Sequence, residues 1–129
     1  MPDFETLQYE ERKRVAWVTL DRPQVHNAFN AQMQRELSRL WRDLRRNDDV
    51  RCIVLTGAGD KAFCTGIDRA EAMGDAARSA EERGAGAAST PFMFDDPGAN
   101  LGPKSNDLWK PVIAAVNGMA CGGAFYMLG

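Results

Sequence analysis

The fold of this chain is decided by residues 112–129, which read VIAAVNGMACGGAFYMLG. Residues 112–116 form a continuous apolar run, which is typical of a short strand buried in a parallel sheet. An Asn-Gly pair at 117–118 ends that run, because this dipeptide favours a turn. The residues after the glycine pair 122–123 are apolar and begin a helix. We therefore predict a strand, a glycine turn and a helix in direct succession.

The glycine pair 122–123 can bring backbone N–H groups close to a ligand. Glycine has no Cβ to block the approach, and the first N–H groups of a helix have no intrahelical partner. Such a place favours negative charge. The charge can be a bound carboxylate or phosphate, or an oxygen that becomes anionic only during a reaction. A tight turn that needs glycine for packing alone explains the pair equally well at this point.

Composition and charge narrow the class of protein. The chain has 129 residues, of which 44% are hydrophobic, enough for the core of one domain. The formal net charge of −2 shows no basic excess, so the sequence gives no indication of a nucleic-acid partner. Neither a basic, apolar leader nor a run of 18 apolar residues is present, so we expect neither export nor a membrane.

The cysteines predict a cytoplasmic protein with free thiols. The three cysteines are irregularly spaced, form no C-x-x-C pair and have only His26 to help build a metal site. We therefore expect no metal. Nucleophilic catalysis by Cys64 or Cys121 would need a basic partner, and His26 is the only imidazole. Buried structural cysteines are the favoured interpretation.

The first half of the chain predicts a strand–helix–strand unit. Residues 15–20 form a strand, which pairs with a shorter one at Leu7 and Tyr9 across a charged turn at 10–14. Asn30 then caps an amphipathic helix, and residues 50–55 form a buried strand. The apolar stripe of that helix comprises Met33, Leu37, Leu40, Trp41 and Leu44.

A basic helix face and a glycine-rich segment could each be interpreted as a phosphate-binding site. Arg39, Arg42 and Arg46 share one helix face, for which a solvated surface is favoured over contact with a phosphate. Residues 57–62, GAGDKA, match the dinucleotide fingerprint G-x-G-x-x-A after a strand. No helix starts inside that match, so an ordinary turn is favoured over a nucleotide site.

Residues 69–108 have little apolar periodicity. They contain a helical piece rich in alanine, arginine and glutamate near 69–83, and then a glycine- and alanine-rich stretch. Segments of this length with so few apolar residues cannot form a core of their own. We predict a mobile loop or lid over this segment.

The two strands at 50–55 and 112–116 each end in a glycine-rich turn. Because parallel strands end at the same edge of a sheet, the turns at 65–67 and 121–123 should face one crevice. Each turn could then donate one peptide N–H to a single oxygen.

Five short blocks carry a family resemblance, and their order along the chain is more specific than any one of them. They are DRP at 21–23, NAFN at 27–30, AFCTGID at 62–68, KPVIAAVNG at 110–118 and GG at 122–123. In this order they resemble the signature of the crotonase, or enoyl-CoA hydratase/isomerase, superfamily. The resemblance covers nearly the whole chain apart from 69–108.

The resemblance implies an α/β fold, a crotonase-like spiral of ββα units. It implies that residues 1–129 are the N-terminal part of such a domain, truncated before the C-terminal helical region. It also implies an enzyme that binds acyl-CoA thioesters, assembles as a homotrimer or hexamer, and uses no cofactor beyond the CoA thioester itself.

The resemblance also assigns site residues. In the family, two backbone N–H groups hold the thioester oxygen, and the matching positions are Ile67 and Gly123, the latter preceded by Gly122. The CoA moiety would lie along a loop and a wall. The matching positions are Val25, His26 and Ala28 in the loop and Ala62, Gly66 and Asp68 in the wall.

The sequence departs from the hydratase pattern at Tyr126. Hydratases of the family carry a catalytic glutamate three residues after the second glycine, and tyrosine is a poor general base at neutral pH. Hydration by two glutamates is therefore in question. Isomerisation, thioester hydrolysis, decarboxylation and a non-catalytic CoA-binding role remain as alternatives.

Overall fold

The computed structural model describes residues 3–71 and 96–129, and its main feature is a four-stranded sheet with strand order β1-β2-β3-β5. β1 pairs with β2 in antiparallel fashion, and β2–β3 and β3–β5 are parallel pairs. The strands are β1 Leu7–Arg12, β2 Val15–Leu20, β3 Cys52–Gly57, β4 Ala62–Cys64, β5 Val112–Ala115 and β6 Met119–Ala120. The architecture is the predicted α/β class.

The β1–β2 hairpin has a tighter turn than the sequence predicted. The strands run to Arg12 and from Val15, so only Lys13 and Arg14 form the turn, both with positive φ (51° and 66°). Two such residues give the turn whose twist matches a hairpin. The charged residues before the turn are tolerated in β1 because it is an edge strand with exposed side chains.

The crossover helix α1, Ala31–Arg46, agrees with the prediction. The Asn30 side chain caps it by accepting a hydrogen bond from the Met33 N–H at 2.9 Å. The helix packs its apolar stripe onto one face of the sheet, and the three arginines predicted to form a solvated face are all exposed. The buried residues of the stripe are Met33, Leu37, Leu40, Trp41 and Leu44.

The last part of the predicted loop is ordered and belongs to the core. Helix α2, Pro97–Leu101, packs on α1, where the Trp41 Nε1–H donates to the Leu101 carbonyl at 3.0 Å. The side chains of Leu101 and Leu108 are 0% and 2% exposed. These few leucines were too widely spaced to produce a periodic signal. Residues 72–95 lie outside the described residues, so mobility of that stretch stays a prediction.

A second, two-stranded sheet carries the glycine turn. β4 and β6 are parallel, and a 3-10 turn at Gly122–Ala124 leads from β6 into helix α3, Phe125–Leu128. The predicted succession of strand, glycine turn and helix is therefore confirmed, with the short strand β6 inserted before the glycines.

The prediction that residues 112–116 form a buried strand is wrong for this chain. β5 is an edge strand whose residues are mostly exposed, and the Ile113 side chain is 55% exposed. The reason is that the described residues cover neither face of β5: the successive residues Ile113 and Ala114, which point to opposite faces, are both exposed. Further apolar side chains are exposed nearby, namely Trp109, Val116, Met119 and Phe125.

None of the helices in the described ranges is long and apolar enough to cross a membrane.

Two isoleucines on neighbouring strands test this arrangement. Ile53→Ala should lower the free energy of unfolding by about 2–5 kcal/mol, because Ile53 is 0% exposed and its loss leaves a cavity. Ile113→Ala should cost under about 1 kcal/mol and should reduce self-association of a polypeptide of residues 1–129, because it shrinks an exposed apolar patch. Urea unfolding and light scattering of the 1–129 polypeptide measure the two effects. Equal losses of stability in the two variants, or a wild-type 1–129 polypeptide that does not self-associate, would contradict the description.

Candidate active site

The segment 66–68 is held by the backbone of Phe29. The Phe29 N–H donates to the Gly66 carbonyl at 2.9 Å, and the Asp68 N–H donates to the Phe29 carbonyl at 2.9 Å. Phe29 and Ile67 thus form a parallel bridge. In such a bridge the central residue directs its own N–H away from the partner. Among the described residues, the Ile67 N–H has no acceptor.

The two glycine turns approach each other so closely that a Cβ on Gly66 would crowd the second turn. The Cys121 N–H donates to the Cys64 carbonyl at 3.0 Å, which fixes the register of the two segments. A Cβ on Gly66 would lie 3.1 Å from the Cys121 carbonyl oxygen and 3.3 Å from the Gly123 nitrogen. Gly66 also has φ +98°, a conformation that other residues rarely adopt. The predicted meeting of the two turns is present.

The second turn places the Gly123 N–H at the start of a helical segment. The Ala124 N–H donates to the Cys121 carbonyl at 3.1 Å, whereas the Gly123 N–H has no acceptor in the described part of the chain. Gly122, with φ +54°, makes the bend that precedes it. The Gly123 nitrogen therefore lies beside Gly66, one residue before Ile67. Two unpaired backbone donors on adjoining turns can bind one oxygen atom.

Two side-chain amides clamp the turn 57–62 that precedes this site. The Ala62 carbonyl accepts hydrogen bonds from the Asn27 Nδ2 at 3.0 Å and the Asn117 Nδ2 at 3.1 Å. The same two nitrogens also donate to the carbonyls of Ala58 and Gly59. The segment continues into β4 without starting a helix, so the dinucleotide interpretation of 57–62 is wrong.

An ion pair ties the loop 21–30 to the first donor segment. The Arg22 Nη2 lies 3.0 Å from the Asp68 Oδ2, and both side chains are 14% exposed. The Arg22 Nη1 also donates to the Ala28 carbonyl at 2.7 Å. Burial opposes ionisation of Asp68, but the Arg22 hydrogen bond and charge, with the N–H groups of Glu71 and Ala70, hold its pKa below the usual value. Asp68 is therefore ionised at neutral pH.

The structural roles of Arg22, Asn27, Phe29 and Asn117 were not assigned from the sequence. All four lie in the signature blocks quoted above, but their type and spacing do not show which distant carbonyl or carboxylate each one contacts. Asn27 has one local signal, since asparagine is enriched among residues with positive φ and its φ is +57°.

The predicted CoA-contacting residues fall into two groups. Val25 is half-buried and His26 is exposed, and both lie in the surface loop. Ala28 and Ala62 are buried, and their carbonyls accept hydrogen bonds from within the protein. With Asp68 paired to Arg22, these residues shape the site, and their contact with a ligand stays a prediction. His26 and Ala62 also line a cleft of about 200 Å³ beside the 57–62 turn.

Tyr126 lies beside the second donor. The position of a Cβ on Gly123 is 3.5 Å from the Tyr126 Cδ2, and that of a Cβ on Gly98 is 2.7 Å from its Cδ1. The phenol ring therefore lies between α2 and the Gly123 turn, and the residue is 45% exposed. The ring is therefore adjacent to the turn that carries the Gly123 N–H.

The prediction of buried cysteines is confirmed for Cys64 and wrong for Cys121, which is exposed at the second glycine turn. Burial raises the pKa of the Cys64 thiol, so the thiol is neutral at physiological pH and a weak nucleophile. Cys52 is half-buried, and all three cysteines are free. Within residues 3–71 and 96–129, no three His, Cys, Asp or Glu side chains are grouped so that they could hold a metal ion.

A larger cleft of about 570 Å³ lies between β1 and α1, away from the glycine turns. Three of its lining residues, Glu10, Glu11 and Asp43, are acidic. A CoA thioester carries several phosphate charges, and like charges repel. This cleft is therefore not the candidate site.

Comparison with known proteins places the chain in a family. The profile of the enoyl-CoA hydratase/isomerase family matches residues 10–128. The chain is 36% identical to (E)-benzylidenesuccinyl-CoA hydratase of Thauera aromatica over 88% of its length. It is 38% identical to 1,2-epoxyphenylacetyl-CoA isomerase of Escherichia coli over 91% of its length. The chain belongs to the enoyl-CoA hydratase/isomerase family.

Solved structures show the same fold. An enoyl-CoA hydratase/isomerase from Mycobacterium paratuberculosis matches 96% of the chain with a TM-score of 0.71 and 31% identity. One from Xanthobacter autotrophicus Py2 matches 96% of it with a TM-score of 0.74 and 25% identity. The crotonase-like fold is thereby confirmed. The chain spans 40% and 42% of the two curated relatives and 42% and 43% of the two solved chains.

Alanine substitutions at two glycines with positive φ distinguish the effect of crowding by the new Cβ from the effect of backbone strain. Gly66→Ala and Gly59→Ala each place alanine at positive φ (98° and 87°), which costs about 1–3 kcal/mol at either site. A Cβ on Gly59 meets nothing closer than 3.8 Å, whereas one on Gly66 presses on the Gly123 turn. We expect only Gly66→Ala to remove the preference of the intact protein for an acyl-CoA over free CoA, because Gly59 lines the cleft beside the 57–62 turn and does not touch the Gly123 turn. Calorimetry measures this preference after urea unfolding has established the stability of both variants. A preference retained in both variants would show that the two turns do not form one site.

Proposed function

We propose that the protein containing this chain is an acyl-CoA enzyme of the hydratase/isomerase type. The observation that carries the proposal is the close approach of Gly66 and Gly123, which leaves the N–H groups of Ile67 and Gly123 without an acceptor among the described residues. The thioester oxygen of an acyl-CoA binds between these two donors. Members of the family named above act on CoA thioesters, which supports this choice of ligand.

The two donors stabilise the charge that develops on the thioester oxygen. Proton removal next to the carbonyl, or attack at it or at a conjugated double bond, places negative charge on that oxygen. Fixed N–H donors stabilise the charge without reorganising, and removing one such donor typically costs about 2.7–4 kcal/mol. Because both donors are backbone groups, the side chain of Ile67 is free to contact the acyl group.

The CoA moiety lies along the surface loop. Val25 and His26 lie in that loop, and Thr65 is tied to it because its hydroxyl donates to the His26 carbonyl at 3.3 Å. The cleft beside His26 and the 57–62 turn accepts the part of CoA remote from the thioester. Gly66, Gly122, the buried residues Ala28 and Ala62, and the half-buried Asp68 keep the loop and the donor segments in place.

Tyr126 sets the choice of reaction. It occupies the position where hydratases of the family carry a glutamate, and its ring is adjacent to Gly123. A phenol can donate a hydrogen bond or a proton, but it is a poor general base at neutral pH. Isomerisation needs a single base, which a group other than Tyr126 supplies, so it is favoured over hydration by two glutamates. Thioester hydrolysis or decarboxylation on the same oxyanion hole is a further candidate, but the names of the similar proteins do not favour it.

We also propose the wider setting of the enzyme. Residues 1–129 form the N-terminal part of a crotonase-like domain, and the intact protein is a homotrimer or hexamer in the cytoplasm. The exposed apolar residues around β5 and α3 support burial against further polypeptide. Backbone donors perform the electrostatic work, so no cofactor beyond the CoA thioester is required by this proposal.

Calorimetric titration of the intact protein with an acyl-CoA tests the proposal. We expect saturable binding that is much weaker when free CoA replaces the thioester at the same concentration, because free CoA keeps the contacts with the surface loop but has no thioester oxygen for the two donors. Absence of heat up to millimolar ligand would contradict the proposed function.

Turnover separates the candidate reactions. We expect isomerisation of a 3-enoyl-CoA to exceed hydration of crotonyl-CoA, and Tyr126→Phe to lower kcat while leaving acyl-CoA affinity nearly unchanged. Efficient hydration that survives Tyr126→Phe would show that another group performs the proton transfer. Release of free CoA from a saturated acyl-CoA would favour the hydrolase alternative.

A further inference from the structure

We propose that Phe29 is a positioning residue that fixes the two N–H donors relative to each other. The inference rests on the proposed function, because it concerns the oxyanion hole formed by Ile67 and Gly123. It assigns to Phe29 a role in the reaction through these donors, without contact between Phe29 and the substrate.

The backbone of Phe29 holds the first donor. Its N–H and carbonyl form the two hydrogen bonds, each 2.9 Å, to the residues on either side of Ile67. Both bonds close only when Ile67 lies directly opposite Phe29, so they set the position and direction of the Ile67 N–H. This part of the arrangement depends on the backbone and would survive a change of side chain.

The side chain of Phe29 holds the second donor. A Cβ on Gly123 would lie 2.4 Å from the Phe29 Cε1 and 2.6 Å from its Cζ, so the edge of the ring rests against the Gly123 backbone. The ring is 1% exposed and belongs to the main hydrophobic cluster. Closely packed aromatic rings in a core have little room to shift. The ring therefore limits how far Gly123 can move toward Phe29.

One residue thus connects both halves of the site. The two donors come from turns that are 56 positions apart in sequence, since Ile67 and Gly123 belong to separate strand ends. Phe29 contacts the first turn through its backbone and the second through its ring. The separation of the donors therefore depends on the distance between the Phe29 backbone and the edge of its ring, together with the hydrogen bond from Cys121 to Cys64. That distance is fixed by covalent geometry and two torsion angles.

Removing the ring should weaken catalysis more than binding. In Phe29→Leu the backbone bonds remain and the site stays apolar, but the atoms that rest against Gly123 are lost. The Gly123 N–H then gains freedom, and misplacement of a catalytic group by about 1 Å can lower the rate by about 100-fold. The affinity for CoA depends on the surface loop and should change little.

The test uses the intact protein and a conjugated enoyl-CoA whose absorbance shifts to longer wavelength when its carbonyl is polarised. We expect the wild-type protein to shift the absorbance maximum of the bound ligand, and Phe29→Leu to reduce that shift at saturation, with kcat lowered at least about 10-fold and KM changed less than about threefold. Phe63→Leu is the matched control. It makes the same change at a ring that is 0% exposed and is not among the nearest atoms to Gly123, and it should retain the shift.

Each outcome decides one question. A full spectral shift and unchanged kcat in Phe29→Leu would overturn the positioning role, and so would an equal loss in Phe63→Leu. If Phe29→Leu does not fold, Phe29→Met replaces it, because methionine keeps most of the buried volume in a flexible side chain. We expect the same reduced spectral shift and lowered kcat in Phe29→Met. A wild-type protein that binds no acyl-CoA would instead contradict the proposed function.

Discussion

The close approach of two backbone segments is the constraint on which the rest of this structure depends. Gly66 and Gly123 come from different strand ends, and a Cβ on Gly66 would lie only 3.1–3.3 Å from the second turn. Glycine is favoured at Gly66 by this tight fit and by its φ of +98°, and at Gly123 by the ring of Phe29. The bridge to Phe29 and the bend at Gly122 leave two neighbouring N–H groups without acceptors among the described residues, so both can donate to a ligand. The backbone contact that packs the two turns together therefore also places the two N–H donors side by side.

Polar side chains hold the irregular segments that make this contact. Asn27 and Asn117 both donate to the Ala62 carbonyl, and Arg22 links the loop to Asp68. These bonds replace the ladder hydrogen bonds that loops lack. In the described part of the chain, no buried side-chain nitrogen or oxygen is left without a partner. The two N–H donors are consequently held by segments whose buried side-chain polar atoms all have hydrogen-bond partners.

Much of the fold could be predicted from the sequence because its strongest signals are local. The α1 helix, with its Asn30 cap and apolar stripe, follows from residues three and four apart, and the strand–turn–helix around Gly122 follows from an apolar run and two glycines. The loop prediction was too broad at 96–108, where Leu101 and Leu108 enter the core at spacings that no periodic pattern reveals. The burial of residues 112–116 was overestimated because an apolar strand does not show from its own sequence whether other elements cover its two faces.

For the site, the sequence was sufficient to bring the two glycine turns to one edge but not to show how they are held. The positions of Ile67 and Gly123 followed from the order of signature blocks. The bracing by Arg22, Asn27 and Phe29 depends on contacts between residues 31 to 94 positions apart, and such contacts leave no trace in local composition. Tyr126 was recognised as a departure from the hydratase pattern, while its packing between α2 and Gly123 required the structure.

The central claim is that one thioester oxygen binds both backbone donors. A crystal structure of the intact protein with a bound acyl-CoA tests it most directly. The account predicts that the thioester oxygen lies about 2.7–3.1 Å from both the Ile67 nitrogen and the Gly123 nitrogen. A thioester oxygen bound elsewhere, or an Ile67 N–H that donates to an acceptor of the protein itself, would contradict it.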